Sequence, residues 1–130
     1  MLGLVFVAIK APVVGTLRGE LRFIRGSHDD LTAILHAPAV QHDLRCGPLT
    51  FPNYRLLPDA RWILDLPQAR VGARSAHRHA RGVAMFVLGE KELARFGFAA
   101  GASSSTNAPD PGFAPIARNA SYAAYASCSP

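Results

Sequence analysis

The sequence predicts a small compact α/β domain, with a mixed sheet of about four strands flanked by short helices and preceded by an N-terminal apolar helix. Residues 2–9 are all apolar or glycine, and residues 82–88 form a second uninterrupted apolar run. The second run is typical of a strand that is covered on both faces. Between them, short apolar segments with helix and strand character follow one another, and many of the 10 prolines and 11 glycines separate them. A chain of 130 residues allows one domain of this kind.

Residues 1–16 have the character of a transmembrane helix that is too short. A helix over residues 2–15 would span ~21 Å, less than the ~30 Å of a hydrocarbon layer. A signal peptide would carry basic residues before its apolar core, and no basic residue precedes Leu2. We expect the distal end of a truncated membrane span, with Lys10 reaching toward lipid head groups and Pro12 tolerated near the end of the span. A buried core element is the alternative.

Residues 17–26 form a predicted basic amphipathic connector. Three arginines share one helical face: Arg18, Arg22 and Arg25. Three apolar residues occupy the neighbouring face: Leu17, Leu21 and Ile24. This pattern suits a membrane head-group surface, so these arginines and Lys10 are the predicted membrane contacts. An ordinary solvated helix face fits equally well. Basic residues directly after a span also favour a cytoplasmic side.

Residues 27–130 are the predicted α/β domain. Ser27–Asp30 resembles a capping box that starts a helix, and Pro38 interrupts that helix or restarts it. We predict a strand at Leu49–Phe51. A second helix should begin at Pro58–Asp59 and end at Pro67. Its apolar residues are Ala60, Trp62, Ile63 and Leu66.

The second half of the domain should supply the remaining strands. Val71–Ser75 is a weak strand candidate, residues 82–88 are the clearest strand, and Tyr122–Cys128 is the last. A polar turn is predicted between the first two, at residues 76–81. Glu90–Phe96 should form a short helix with Leu93 and Phe96 facing inward, and composition predicts a loop at Gly101–Gly112.

Two cysteines, Cys46 and Cys128, lie 82 residues apart. They are too few for a zinc site. They could close one long loop as a disulfide, which requires an oxidising compartment, or they could be two unrelated buried thiols. A disulfide would conflict with the cytoplasmic side that the basic residues favour.

No catalytic, cofactor-binding or metal-binding set is evident. His77 and His79 could share one face and bind a metal, but no third ligand lies near them in the sequence, and a solvated turn explains them better. The net charge of +5 comes mainly from 12 scattered arginines. Most aromatic residues sit in apolar runs where we expect the core to cover them, and a stacking platform needs exposed aromatics interleaved with basic groups, so a nucleic-acid partner is not expected.

The segment Leu44–Leu64 resembles a part of multi-pass membrane proteins of GC-rich bacteria, similar to glycosyltransferases of the protein-mannosyltransferase type. Its central motif is Arg45-Cys-Gly-Pro-Leu-Thr-Phe-Pro-Asn-Tyr-Arg. Residues 70–75 and 82–87 resemble the two strands that follow, and residues 125–128 resemble the end of that domain. In those proteins the last membrane helix leads through an arginine-rich helix into a small soluble domain.

The resemblance implies an extracytoplasmic C-terminal domain with Cys46 and Cys128 bridged. The catalytic acids of such enzymes lie in early loops that this chain lacks. We therefore expect a non-catalytic accessory domain at the cell membrane, whose partner is lipid or the membrane-embedded part of a parent protein. A free-standing soluble module that binds an unknown ligand is the alternative, and the oligomeric state is left open.

Overall fold

The computed structural model describes residues 2–98 and 105–129, and it describes side chains from Val13 onward. A single 34-residue helix, α1, runs from Leu2 to Leu35 and crosses the predicted segment boundaries at residues 16 and 26 without a break. Among the described residues, no helix has both the length and the apolar character needed to cross a membrane.

The capping-box prediction at Ser27–Asp30 is wrong. Ser27 lies inside α1, where its side chain is buried and its hydroxyl pairs with the hydroxyl of Tyr122 at 2.8 Å. A serine caps a helix only where the preceding residues leave the helical conformation. Here residues 17–26 favour helix, and the serine hydroxyl has a tertiary partner instead.

Five strands form one mixed sheet in the order β2-β1-β3-β5-β4. Their bounds are β1 Leu49–Phe51, β2 Val71–Ala73, β3 Gly82–Val87, β4 Ala114–Arg118 and β5 Tyr122–Ser127. β1 pairs in parallel with β2 and β3, whereas β5 pairs antiparallel with β3 and β4. All six residues of β3 are buried, as its continuous apolar run predicts. The predicted α/β class and mixed sheet are confirmed.

The additional strand, β4, was not predicted from the sequence. Its residues are exposed or half-buried, it contains Pro115, and its pairing with β5 shifts register between Pro115 and Ala117. Proline lacks the backbone N–H that a ladder requires, which confines it to sheet edges and irregular positions. β4 is such an edge, and for that reason its sequence carries little strand character.

Three further helices flank the sheet: α2 Pro38–Asp43, α3 Leu57–Leu64 and α4 Glu90–Arg95. The predicted inward positions of Leu93 and Phe96 are half-buried and buried. The inward face of α3 follows the i, i+3 spacing of Ala60 and Ile63. Trp62 falls outside this face and is 86% exposed.

The core lies between the sheet and the C-terminal end of α1. It contains Leu31, Ile34 and Leu35, each at most 3% exposed, packed with residues of β1, β3 and β5. The described part of the predicted loop, residues 105–112, includes a short 3₁₀ turn at Ser105–Asn107. Residues 101–104 of that prediction lie outside the described residues.

Candidate functional site

The outer segment of α1, residues 13–26, carries large apolar side chains that the domain leaves exposed. The exposed fraction is 59% for Val13, 55% for Leu17, 56% for Leu21 and 36% for Ile24. Their spacings of four, four and three residues place them along one side of the helix. This α1 apolar stripe extends for about 17 Å, at 1.5 Å per residue.

A basic row runs beside the α1 apolar stripe. Arg18, Arg22 and Arg25 are exposed, and each follows a stripe residue by one position. Within residues 13–98 and 105–129, none of the three forms an ion pair. The structure thus presents an apolar surface edged on one side by cations that form no ion pair with the described residues. The predicted contact Lys10 has its side chain outside the described part, so its placement stays a prediction.

A cleft of about 510 Å³, which we call the α1 cleft, opens where α1 leaves the domain. One wall comes from α1, another from Leu56 and Asp59 at the start of α3, and a third from Arg95 and Phe96 at the end of α4. The α1 residues that line it are Leu21, Ile24, Arg25, Ser27, His28 and Leu31. The stripe and the basic row therefore both reach into this cleft.

The hydroxyls of Ser27 and Tyr122 lie at the base of the α1 cleft and are hydrogen-bonded to each other. Burial raises the pKa of the Tyr122 hydroxyl above its ordinary value of 10.0, the bond with Ser27 opposes the rise, and the nearby carboxylates of Glu92, Asp59 and Asp30 add to it. Tyr122 is therefore neutral at physiological pH, and it acts here as a hydrogen-bonding group.

A second polar contact anchors α1 to the start of β5. The Ser121 hydroxyl lies within hydrogen-bonding distance of the carboxylates of Asp30 and Glu92, while the Asn119 side-chain amide donates to the Asp30 carbonyl oxygen at 2.7 Å. Ser121 is buried. These bonds hold α1 just beyond the cleft, so the exposed outer segment projects from a fixed base.

Cys46 and Cys128 form a disulfide with a Cα–Cα distance of 5.1 Å, as the resemblance implied. Asp43 lies beside it, and these three residues are the group that could hold a metal ion among the described residues, with ligand atoms within 4.8 Å of one another. Because both sulfurs are joined covalently, neither offers the thiolate that a metal ligand requires. The disulfide is therefore a structural link.

His77 and His79 do come together, with ring centroids 4.5 Å apart and the rings nearly perpendicular. Burial lowers the pKa of His79, and the neighbouring His77 lowers it further. No third histidine, cysteine, aspartate or glutamate joins them in a metal-binding arrangement within the described ranges. The two histidines lie in the polar turn that the sequence predicts between two strands.

Sequence reasoning missed a buried arginine that organises the loop before β4. Arg74 is 2% exposed, donates to the carbonyl oxygens of Thr106 and Ala108, and pairs with the carboxylate of Asp110 at 2.9 Å. Arg78 binds the other oxygen of that carboxylate. The partners lie 32 to 36 residues away, so no local sequence signal marks them. This cluster fixes a loop and leaves the carboxylate fully engaged.

Within the described residues, no arrangement of nucleophile, base and oxyanion-binding donors comes together. The α1 apolar stripe, its basic row and the α1 cleft together form a surface of the described residues that can act on another molecule. Comparison of the chain with protein-family models, with curated proteins and with solved structures found no match to any of them.

Proposed function

We propose that this chain is a non-catalytic accessory domain that docks on the extracytoplasmic face of a membrane through α1, attached to a multi-pass membrane protein. The observation that carries the proposal is the exposed α1 apolar stripe with its basic row alongside. An apolar side flanked by arginines is the arrangement that interfacial helices use to lie in the head-group region.

The energetics of the two rows support reversible docking. Fully burying a leucine or valine is worth roughly 1.5–3 kcal/mol, and the stripe residues have between a third and three fifths of their surface left to bury. Each arginine near an anionic surface adds about 1 kcal/mol. The sum is enough for reversible attachment to a bilayer and far less than the insertion energy of a complete span.

The disulfide supports the extracytoplasmic side. Disulfides persist in oxidising compartments such as the periplasm or the cell exterior and are rare in the cytosol. The bridge between Cys46 and Cys128 is compatible with such a location. The arginines of α1 do not decide the side of the membrane, because they can contact anionic lipid on either side.

The membrane-embedded partner that we propose is a glycosyltransferase similar to the protein-mannosyltransferase type. The support is the resemblance of Leu44–Leu64. On this proposal the chain positions or stabilises the enzyme and has no transferase activity alone.

Vesicle binding tests the docking. The full chain should co-sediment with vesicles that contain phosphatidylglycerol, and the double variant Arg18→Gln/Arg22→Gln should bind them about 30-fold more weakly, from about 1 kcal/mol per charge. The matched control is Arg45→Gln/Arg118→Gln, which removes the same charge from exposed positions outside α1. If both double variants lose the same vesicle affinity, the effect comes from the net charge of the protein and not from the position of the arginines on α1.

The apolar part of the surface needs its own variant. Leu17→Glu/Leu21→Glu should abolish vesicle binding, whereas Trp62→Glu, at a more exposed apolar side chain on α3, should leave it nearly unchanged. A wild-type chain that stays in the supernatant with every vesicle composition would contradict membrane docking. It would favour the free-standing binding module.

Attachment to a larger protein has a separate test. The genomic DNA upstream of the Met1 codon should continue in frame and encode further apolar segments. A stop codon in frame directly upstream would refute the attachment while leaving membrane docking to be judged on the vesicle data.

A further inference from the structure

We propose that the α1 cleft is a binding site for the head group of an anionic phospholipid, in which Arg25 and Arg95 grip the phosphate diester. The proposal deepens the membrane docking proposed above and rests on it for the source of the lipid. It assigns a specific site to a surface that otherwise acts through general hydrophobic and electrostatic attraction.

The charges of the cleft favour an anion. Arg25 reaches it from α1 and Arg95 from the end of α4, and within residues 13–98 and 105–129 neither guanidinium has an ion-pair partner. Arg95 lies 5.9 Å from the centroid of the Phe96 ring, which supports its planar group on one face. A guanidinium offers a fork of N–H donors that matches two phosphate oxygens. Two such forks from separate elements can bind one phosphate.

The base of the cleft offers a further donor. Ser27 and Tyr122 have two hydroxyl hydrogens between them, and their mutual bond uses only one. The other hydrogen has no acceptor in the described part of the chain, so it is available to an oxygen of the ligand. A ligand rich in acceptors, such as a phosphate ester, satisfies this group, and a cation does not.

The walls of the cleft favour a ligand with an apolar portion. Leu21 and Ile24 line it and also belong to the α1 apolar stripe. A ligand whose phosphate lies between the arginines can therefore extend its chains along the stripe toward the bilayer. The volume of about 510 Å³ falls in the range of about 300–1,000 Å³ that is usual for small-molecule sites.

One carboxylate in the lining sets the preferred charge of the ligand. Asp59 also lines the cleft, and the carboxylates of Asp30 and Glu92 lie close enough to act on the Tyr122 hydroxyl, so negative charge stands near the two guanidiniums. A singly charged phosphate diester matches the balance better than a doubly charged inorganic phosphate, which Asp59 repels.

The test uses a short-chain lipid that is soluble as a monomer. Dihexanoyl phosphatidylglycerol, below its micelle concentration, should bind the full chain and shift the backbone amide signals of cleft residues in NMR spectra. Arg25→Gln and Arg95→Gln should each weaken binding by about tenfold or more, as expected for a charge-assisted hydrogen bond to phosphate. Arg22→Gln is the matched control, since it lies in the same basic row and does not line the cleft.

Two further ligands separate a lipid site from a simple anion site. Inorganic phosphate should bind more weakly than the lipid because it lacks an apolar portion. Dihexanoyl phosphatidylcholine should also bind more weakly, because its choline brings a cation toward the two arginines. Equal affinity for inorganic phosphate and the lipid would overturn the proposal, and so would equal losses in the Arg22, Arg25 and Arg95 variants.

The same variants distinguish failure of the cleft proposal from failure of membrane docking. If the wild type binds vesicles and the Arg22, Arg25 and Arg95 variants lose affinity for the monomeric lipid equally, docking stands and the specific site is refuted. If the monomeric lipid binds with the expected dependence on Arg25 and Arg95 while vesicles do not, the site stands and docking is refuted. Both arginines are exposed, so their replacement should leave the circular dichroism spectrum unchanged.

Discussion

The two ends of the described part of α1 carry the same kind of apolar pattern and meet opposite surroundings. In the outer segment, Leu17 and Leu21 are 55% and 56% exposed, whereas Leu31 and Leu35, at the same four-residue spacing, are 1% and 0% exposed. One helix therefore has a stripe that changes from surface to core over about two turns. Ser27, bonded to Tyr122 at 2.8 Å, lies at the change.

An apolar stripe therefore indicates that a helix packs against a partner, but it does not identify that partner. The C-terminal end of α1 finds its partner in the sheet of the same chain. The outer segment finds none among the described residues, which is the reason to assign it a partner outside the chain. Large exposed apolar patches on single domains commonly mark such interaction surfaces.

The largest effect should come from a change that acts on the buried region alone. Replacing both cysteines, Cys46→Ala/Cys128→Ala, removes a link between residues 82 apart and should lower the free energy of unfolding by about 4 kcal/mol. Denaturant titration measures this loss. Hydrogen exchange in the outer segment of α1 should stay unchanged, because the disulfide joins the α2–β1 loop to the end of β5.

The bridge itself has an independent check. The mass of the protein purified without reductant should lie about 2 Da below the reduced mass, from the two hydrogens lost in one bond. An unshifted mass would show that the cysteines are free and would remove the support for an oxidising compartment.

The second prediction compares the two ends of α1 directly. Leu31→Ala should destabilise the domain by about 3 kcal/mol, because it opens a cavity in the core. Leu21→Ala, the same substitution in the outer segment, should change the free energy of unfolding by no more than about 0.5 kcal/mol. Urea titration of both variants is sufficient. Comparable losses would mean that the outer segment is packed in solution, against a second copy or against the domain.

Ser27 and Tyr122 pair where the stripe of α1 passes from exposed to buried. Tyr122→Phe leaves the Ser27 hydroxyl buried without its partner and should cost about 1–2 kcal/mol. A pH dependence should accompany it. Since burial raises the pKa of Tyr122 above 10.0 in the folded state, the unfolded chain loses this proton first, and the contribution of Tyr122 to stability is complete below pH 10 and falls above it.

This alkaline loss can be isolated by subtraction. The difference in unfolding free energy between the wild type and Tyr122→Phe should be constant from pH 7 to 9 and should shrink above pH 10. A difference that stays constant to higher pH would contradict the burial of this hydroxyl.

The smallest effect should come from Gly19 and Gly26, two of the three glycines of α1 whose added Cβ would meet no atom within 4 Å. Alanine favours helix over glycine by up to about 1 kcal/mol. Gly26→Ala adjoins the anchored end and should raise the free energy of global unfolding by roughly 0.5–1 kcal/mol. Gly19→Ala should instead slow hydrogen exchange in the outer segment only. Equal effects on global stability would mean that α1 unfolds as one unit with the domain.

Local sequence patterns were sufficient for most of the fold. The continuous apolar run of β3 and the prolines around α3 predicted elements that the structure contains. The failures share one physical cause. Ser27 and β4 each have ordinary local preferences that tertiary contacts overrode, because a serine bonded a distant tyrosine and a weak edge segment paired with β5.

The candidate site was predictable in part. The alternation of leucines and arginines in residues 17–26 indicated an amphipathic surface, but it fitted a membrane contact and a solvated face equally. The cleft was beyond prediction, since Arg25, Asp59 and Arg95 lie on three elements separated by more than 30 residues. The same holds for the buried Arg74 and its contacts with the loop before β4.

By itself, the sequence determined most of the helices and strands, which side of α1 is apolar and which is basic, and that two cysteines are available to pair. Those properties depend on neighbours within a few residues along the chain. Only the tertiary structure decided which part of the apolar stripe is covered, that Cys46 and Cys128 meet, and that two arginines converge on one cleft. Burial and convergence depend on contacts between residues distant in the sequence, so the folded chain alone establishes them.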